Sequence, residues 1–154
     1  MILFIGHEAS RTGAPILLLR IIKHIKSLTS EDIHIILKKG GVLEKEYQMS
    51  CNKISIWHND WYYEKSLIKR LKKKVFNNKR SQKNIVAFYN KNKPKIIFNN
   101  TVGNGIILKK IFNPDIPVIS FVHELQSVID MHFLYSEETN FLFEKSTEFI
   151  TPSK

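Results

Sequence analysis

Short apolar runs alternate along this chain with longer amphipathic segments, and this alternation restricts the fold more than any other feature of the sequence. The runs are rich in Ile, Val and Phe and predict six strands, at residues 1–6, 33–37, 53–57, 95–99, 118–122 and 148–151, of which the first two read as buried. Apolar strands separated by helices are typical of parallel sheets that are covered on both faces. The sequence therefore predicts an α/β fold with a Rossmann-like parallel sheet of about six strands and helices on both faces.

The segments between the predicted strands carry apolar residues at helical spacing. The clearest is 14–28, where Pro15 occupies a first-turn position that tolerates proline. Further helices are predicted at residues 42–49, 61–76, 81–92, 103–112 and 137–145. We expect a break at residues 77–80 and a helix end before Pro94, because the residue before a proline disfavours helical geometry.

Length and composition favour one ordinary domain. The chain has 154 residues, and 43% of them are hydrophobic, which is enough for a buried core. Cys51 is the single cysteine, which excludes an internal disulfide framework and a cysteine-built zinc site and indicates a reducing compartment. Apolar stretches such as residues 14–19 are far shorter than the roughly 20 residues of a membrane span. We therefore expect a cytoplasmic protein.

The net charge of +10 is concentrated in one segment. Residues 65–95 contain twelve Lys or Arg and no Asp or Glu, which is half of the 24 basic residues. The rest of the chain has 12 basic and 14 acidic residues, a balance of −2. Such a segment favours anionic partners, namely acidic lipid headgroups, nucleic acid or phosphorylated substrates.

The first part of this basic segment has the pattern of a helix that lies on an anionic membrane surface. A narrow apolar stripe is flanked by lysines and preceded by aromatic residues. The predicted membrane-contact residues are Trp61, Lys65, Lys69, Lys72 and Lys73. In the alternative interpretation the stripe packs on the sheet and the lysines are merely solvated. Nucleic acid is a weaker candidate, since aromatic residues interleaved with base-reading side chains are missing.

Glycine, asparagine and histidine follow three of the predicted strands, at the edge where doubly wound sheets bind ligands. Residues 6–15 follow the first strand and lead into a helix N-terminus, whose free N–H groups attract phosphate. Their spacing is neither Gly-x-Gly-x-x-Gly nor that of a P-loop, which disfavours dinucleotide dehydrogenases and P-loop nucleotidases. Ligand contact and a plain loop with a helix cap are equally open interpretations of this segment.

Polar residues also end the fourth and fifth strands. Asn100 and Thr101 can bind sugar hydroxyls or cap the next helix, and capping is favoured for Thr101. A lone histidine is usually structural, but His123 lies at the carboxyl end of a core strand and beside Glu124. It is thus well placed to bind a substrate or to move a proton. We expect His7 to lie near it.

Four segments in order carry a family resemblance. Residues 2–15 include Ser-Arg-Thr-Gly-Ala-Pro, residues 93–100 read Lys-Pro-Lys-Ile-Ile-Phe-Asn-Asn, residues 118–124 end in His-Glu, and residues 149–153 read Phe-Ile-Thr-Pro-Ser. Together they resemble the N-terminal domain of GT-B retaining glycosyltransferases of the group 1 family, also called family 4. The resemblance covers nearly the whole chain, and the first segment is its most specific part.

The resemblance implies that residues 1–154 form one Rossmann-like, acceptor-side domain of a hexosyltransferase. The C-terminal nucleotide-sugar domain, with its Glu-x7-Glu pair, is absent from the chain, so the isolated domain is expected to be inactive. The implied partners are a nucleotide-sugar donor, a glycan or lipid-linked acceptor, the missing domain in cis or in trans, and the inner membrane surface. Synthesis of cell-envelope polysaccharide fits these partners.

The resemblance also implies roles for single residues. Thr12, Gly13 and Ala14 would face the donor diphosphate, and His123 would be the catalytic residue, orienting the sugar rather than acting as a general base. The implied acceptor-binding residues are His7, Asn100 and Glu124. Neither a metal nor a cofactor is implied, since the nucleotide sugar is a substrate. The alternative from another class is a stand-alone module that binds anionic ligands or nucleic acid through residues 65–95.

Overall fold

The computed structural model describes residues 1–58, 67–124 and 136–151, and of residues 67–78 it describes the backbone alone. The strands in these ranges are β1 (Ile2–Gly6), β2 (Ile33–Lys39), β3 (Lys53–His58), β4 (Ile96–Asn99), β5 (Val118–Phe121) and β6 (Glu148–Ile150). The helices are α1 (Gly13–Leu28), α2 (Glu44–Ser50), α3 (Leu67–Lys91), α4 (Gly105–Ile111) and α5 (Glu137–Lys145), and a short 3₁₀ helix covers Val102–Asn104.

All of these strands are parallel and form one sheet in the order β3-β2-β1-β4-β5-β6. The predicted α/β class and the Rossmann-like sheet with helices on both faces are thereby confirmed. Each predicted strand is present within two residues of its predicted bounds, and α5 has the predicted bounds. Short apolar runs thus mark the strands of this sheet, of which β1 and β2 are mostly buried and the edge strand β6 is exposed.

Side chains that alternate along β1 explain why both faces are covered. Leu3, Phe4 and Ile5 are all fully buried, although successive side chains of a strand point to opposite faces. Leu3 and Ile5 belong to a core cluster with residues of α3, α4 and α5. Phe4 belongs to a second cluster with residues of α1 and α2. The central strand therefore contributes to two cores, one on each side of the sheet.

Helix α3 corrects one expectation, because it runs without a break through residues 77–80. The two asparagines and two basic residues there cost a helix at most about 0.7 kcal/mol each relative to alanine, and none is proline or glycine. The neighbouring turns therefore continue the helix across them. Residues 61–66 of the predicted first helix lie outside the described residues. Ile85 and Tyr89 attach the second half of α3 to the sheet.

The strand order creates a switch point between β1 and β4. These neighbours pair from Ile2–Ile96 to Ile5–Asn99. The chain leaves β1 toward α1, which packs on one face, and leaves β4 toward α4, which packs on the other face. Because the two connections diverge, a crevice opens between the carboxyl ends of the two strands, and such crevices bind ligands in α/β folds.

Gly105 allows α4 and α5 to approach each other closely. A Cβ atom at this position would collide with the backbone oxygen of Glu138 in α5. Since the obstacle is backbone rather than the far end of a flexible side chain, relief requires the two helices to separate. Leu142 of α5 and Ile107 of α4 are both fully buried in the core that this separation would disturb.

We expect Gly105→Ala to lower the free energy of unfolding by about 1–3 kcal/mol, the usual cost of overpacking. Gly13→Ala is the matched control, since both glycines begin a helix and a Cβ at Gly13 meets no atom within 4 Å. Alanine at Gly13 should be neutral or should stabilise by about 0.4–1 kcal/mol. Urea unfolding followed by circular dichroism measures both changes. Equal stabilities of the two variants would contradict the close packing of α4 on α5.

Candidate functional site

A cleft of about 370 Å³ lies at the carboxyl edge of the sheet, at the switch between β1 and β4. Its volume falls in the range of roughly 300–1,000 Å³ that is typical of small-molecule sites. The residues that line it are His7, Glu8, Thr12, Ala14, Pro15, Thr101, His123 and Glu124. They come from the β1–α1 loop, the turn after β4 and the end of β5, the three segments that the sequence analysis singled out.

Most of the residues predicted for the site meet at this cleft. Among the cleft-lining residues are the predicted site residues His7, Thr12, Ala14, His123 and Glu124. Gly13 lies between two lining residues on α1, and Asn100 is 2% exposed and contacts both walls of the cleft. His7 and His123 thus line the same cleft, whereas the roles assigned to these residues stay predictions.

Of the predicted membrane-contact residues, three lie on α3 and not among the residues that line the cleft. Trp61 and Lys65 fall outside the described residues. Lys69, Lys72 and Lys73 lie on α3, in the part of the helix for which only the backbone is described. The cleft and the basic helix are therefore separate features of the molecule.

Asn100 joins the three segments of the cleft. Its backbone N–H donates to the carbonyl of Ile5 over 3.0 Å, which extends the pairing of β4 with β1. Its side-chain Nδ2 donates to the carbonyl of Ala14 over 3.3 Å, and its own carbonyl accepts from Nε2 of His123 over 2.8 Å. One buried residue thus holds the start of α1 and the end of β5 against β1.

This contact defines the ring chemistry of His123. A carbonyl oxygen can only accept a hydrogen bond, so Nε2 carries the proton, and Nδ1 is the acceptor nitrogen of the neutral ring. The ring also packs edge-on against Phe121, with centroids 4.6 Å apart. His123 therefore offers an acceptor at the wall of the cleft, where a hydroxyl group can donate to it.

Glu124 organises the turn after β4. Its Oε1 accepts from the Thr101 hydroxyl and from the N–H of Val102 at 3.2 Å, and its Oε2 accepts from the N–H of His123 at 3.2 Å. The Thr101 hydroxyl also accepts from the N–H of Gly103 at 3.2 Å, which confirms the capping role predicted for Thr101. Both side chains satisfy N–H groups that the 3₁₀ helix leaves without partners.

Buried amides are concentrated at the end of β4. Nδ2 of Asn99 donates to the carbonyl of Thr101 over 2.9 Å, and Nδ2 of Asn104 donates to the carbonyl of Ile5 over 3.2 Å. Among the described residues, Oδ1 of Asn99, Asn100 and Asn104 has no hydrogen-bond partner. An unpaired buried acceptor costs about 1–3 kcal/mol. These amides thus fix the backbone of the cleft at a cost in stability.

The loop before α1 is held from two sides. The Ser10 hydroxyl donates to Oε1 of Glu8 over 2.6 Å and lies 2.9 Å from the Thr12 hydroxyl. The turn at Gly41 packs so closely on this loop that a Cβ there would lie 2.5 Å from the carbonyl oxygen of Ala9. Thr12 is the N-cap of α1, but its hydroxyl pairs with Ser10 rather than with a helix N–H. The first-turn N–H groups of α1 therefore point out of the helix uncapped.

Lys38 is a cation beside the cleft that the sequence analysis did not single out. It lies at the end of β2, is half-buried, and its Nζ donates to the carbonyl of Gly103 over 2.9 Å. Its side chain thus reaches across the end of β1 to the turn after β4. Burial and the neighbouring Lys39 lower the pKa of Lys38. Its position directly after the buried run 33–37 is the signal that could have identified it.

The charge state of His7 follows from its surroundings. Burial lowers the pKa of His7 below its ordinary value of 6.5, and the Lys38 ammonium group lowers it further. Glu8, whose Oε2 lies 3.9 Å from Nδ1 of His7, acts in the opposite direction. His7 is therefore a neutral imidazole at neutral pH and can both donate and accept a hydrogen bond.

Comparisons with known proteins give no match, neither to a family model nor to a curated protein. Within the described ranges, no helix has both the length and the apolar character needed to cross a membrane. In the same ranges, no group of three or more His, Cys, Asp or Glu side chains is arranged to hold a metal ion. The function must therefore be argued from the cleft and its surroundings.

We expect an NMR titration to give a pKa below 6.5 for His7 and neighbouring substitutions to move it in opposite directions. Lys38→Met removes a positive charge and should raise this pKa, whereas Glu8→Gln removes a negative charge and should lower it. Lys45→Met, at an exposed position of α2, is the matched control and should leave it unchanged. The same pKa in all three variants would contradict the described environment.

The lowered pKa has a consequence for stability. Near pH 6 the unfolded chain binds more protons at His7 than the folded chain does, so stability increases with pH there. This contribution is complete above pH 6.5 and is lost as the pH falls toward the lowered folded-state pKa of His7. His7→Gln should remove this part of the pH dependence in urea unfolding experiments.

Proposed function

We propose that this chain is the acceptor-side domain of a retaining glycosyltransferase that transfers a sugar from a nucleotide-sugar donor to a glycan or lipid-linked acceptor. The observation that carries the proposal is the convergence of the start of α1, Asn100 and His123 at the switch between β1 and β4. The order of the four family-like segments in the sequence supports the same assignment. The proposal places the cleft in one half of an active site that a nucleotide-sugar domain completes.

The start of α1 suits the diphosphate of a nucleotide sugar. The helix has 16 residues, and its first turn offers uncapped N–H groups at Gly13 and Ala14. Such N–H groups and the positive end of the helix dipole attract phosphate. The side of Gly13 where a Cβ would lie is open to 4 Å, so a ligand can approach the backbone closely there.

Other side chains that line the cleft suit sugar hydroxyl groups. His7 and His123 are hydrogen-bonding imidazoles, and Glu8 adds a carboxylate. Nε2 of His123 is committed to the carbonyl of Asn100, so the ring orients a hydroxyl group and does not shuttle a proton through that nitrogen. Catalysis in this proposal depends on positioning the reactants and on stabilising the departing diphosphate.

Inorganic pyrophosphate provides a direct test, since it carries the diphosphate group without the nucleotide. Added at millimolar concentration and low salt, it should shift the backbone amide resonances of Gly13 and Ala14 in ¹H–¹⁵N correlation spectra. Gly13→Val places a branched side chain in the open space and should weaken this binding at least about tenfold, a loss of roughly 1.4 kcal/mol.

Ala87→Val is the matched control, because it adds the same branched side chain at an exposed position of another helix. It should leave the affinity for pyrophosphate unchanged. Shifts confined to the lysines of α3, or equal affinity of Gly13→Val and the wild type, would contradict a diphosphate site at the start of α1.

We further propose that the basic face of α3 holds the domain at the inner surface of an anionic membrane, within reach of a lipid-linked acceptor. In the part of α3 with described side chains, Ile85 and Tyr89 are buried in the core, whereas Lys79, Arg80 and Lys83 are exposed. The apolar stripe of the sequence analysis lies before this part, where only the backbone of α3 is described. The support is therefore electrostatic, since each basic residue near such a surface contributes about 1 kcal/mol.

Sedimentation with lipid vesicles tests the membrane contact. The protein should bind vesicles that contain phosphatidylserine and not purely zwitterionic ones. Arg80→Glu with Lys83→Glu should weaken binding by roughly 30-fold or more, the equivalent of at least about 2 kcal/mol. Arg20→Glu with Lys23→Glu, at exposed positions of α1 on the other face, changes the net charge equally and should retain most of the binding.

Equal loss in the two double variants would contradict a docking face on α3. Binding to a mixed-sequence oligonucleotide but not to anionic vesicles would instead favour the alternative of a nucleic-acid binding module.

A further inference from the structure

Glu124 lines the cleft, yet its carboxylate accepts three hydrogen bonds from other groups of this chain. Oε1 accepts from the Thr101 hydroxyl and the Val102 N–H, and Oε2 accepts from the N–H of His123. A carboxylate has about four acceptor positions, so three of them are filled by this chain. About one acceptor position is left for a substrate, and the three internal hydrogen bonds indicate another role for this side chain.

The three hydrogen bonds of Glu124 fix the groups around one neighbouring hydrogen bond. In that bond the carbonyl of Asn100 accepts from Nε2 of His123. The carbonyl belongs to the peptide unit between Asn100 and Thr101. Glu124 binds the side chain of Thr101 and the next N–H along the chain, which fixes the backbone on the far side of that unit. It also binds the backbone N–H of His123. One carboxylate thus holds both partners of the contact in place.

We infer that Glu124 is a positioning residue that keeps His123 in the tautomer protonated at Nε2. In that tautomer Nδ1 is the acceptor nitrogen, so a group that binds there must be a hydrogen-bond donor, such as a hydroxyl or amino group. A deprotonated phosphate oxygen, which only accepts, does not pair with Nδ1 in this tautomer. The assignment of the tautomer stands on the geometry alone, whereas the choice of a sugar hydroxyl rests on the proposed function.

The tautomer is measured on the ligand-free protein by long-range ¹H–¹⁵N correlation spectra of histidine-labelled samples at pH 8, above the ordinary histidine pKa of about 6.5. The signals of His123 are assigned from their loss in His123→Ala. In the wild type, Nδ1 should resonate far downfield, as an unprotonated ring nitrogen does, and Nε2 upfield. Both nitrogens at an averaged position would overturn the inference.

Substitution of Glu124 should remove the preference of His123 for the tautomer protonated at Nε2. In Glu124→Ala the two ring nitrogens should move toward a common averaged position as both tautomers become populated. Glu8→Ala is the matched control, since it removes another cleft-lining carboxylate, one that binds Ser10 rather than the turn after β4. It should leave the His123 signals unchanged. An unchanged tautomer in folded Glu124→Ala, or equal shifts in both variants, would overturn the positioning role.

Two milder variants keep the test decisive if Glu124→Ala fails to fold. Glu124→Gln retains an oxygen for Thr101 and Val102, so it should preserve most of the Nε2–H tautomer. Thr101→Val removes one donor to Glu124 and should shift the signals in the same direction as Glu124→Ala, by less. A larger loss of the Nε2–H tautomer in Glu124→Gln than in Thr101→Val would overturn the inference. Because no ligand is present, these results are independent of whether the pyrophosphate experiment succeeds.

Discussion

The divergence of the chain after two adjacent parallel strands, β1 and β4, determines where the cleft of this molecule lies. β1 is apolar on both faces and fully buried from Leu3 to Ile5, so it must have helices on either side. With α1 on one face and α4 on the other, the carboxyl ends of β1 and β4 cannot both be covered by the same connection. The cleft is thus a consequence of burying the central strand rather than an addition to the fold.

Polar side chains keep the divergent segments in register at this edge, and they do so at a cost. Asn100 connects β1, α1 and β5 through three hydrogen bonds, yet its Oδ1 is buried without a partner among the described residues. Asn99 and Asn104 share this property. An apolar side chain would avoid a cost of about 1–3 kcal/mol per unpaired oxygen. The hydrogen bonds of these amides thus favour a defined backbone geometry at the edge of the sheet.

Sequence reasoning succeeded where the signal is local. Buried parallel strands appear as apolar runs, and the capping of the turn by Thr101 follows from a residue type that prefers this position. It failed at residues 77–80, because polar residues of moderate helix propensity do not by themselves end a helix that continues on both sides. The bond from Lys38 to Gly103 and the bonds of Glu124 to Thr101 and Val102 join segments that are far apart in the sequence, so no pattern along the chain reveals them.

The charges around the cleft bear on what kind of ligand suits it. Glu8 and Glu124 disfavour an anion beside their carboxylates, whereas the uncapped first turn of α1 and the nearby Lys38 favour one. A ligand that is anionic throughout meets repulsion from the two carboxylates, and one that is neutral throughout leaves the N–H groups of α1 without an anionic partner. A ligand that carries both a diphosphate and hydroxyl groups, as in the proposed function, would suit this mixture of charges. The basic helix α3 packs on the opposite face from α1, so an anionic surface can bind there without competing for the cleft.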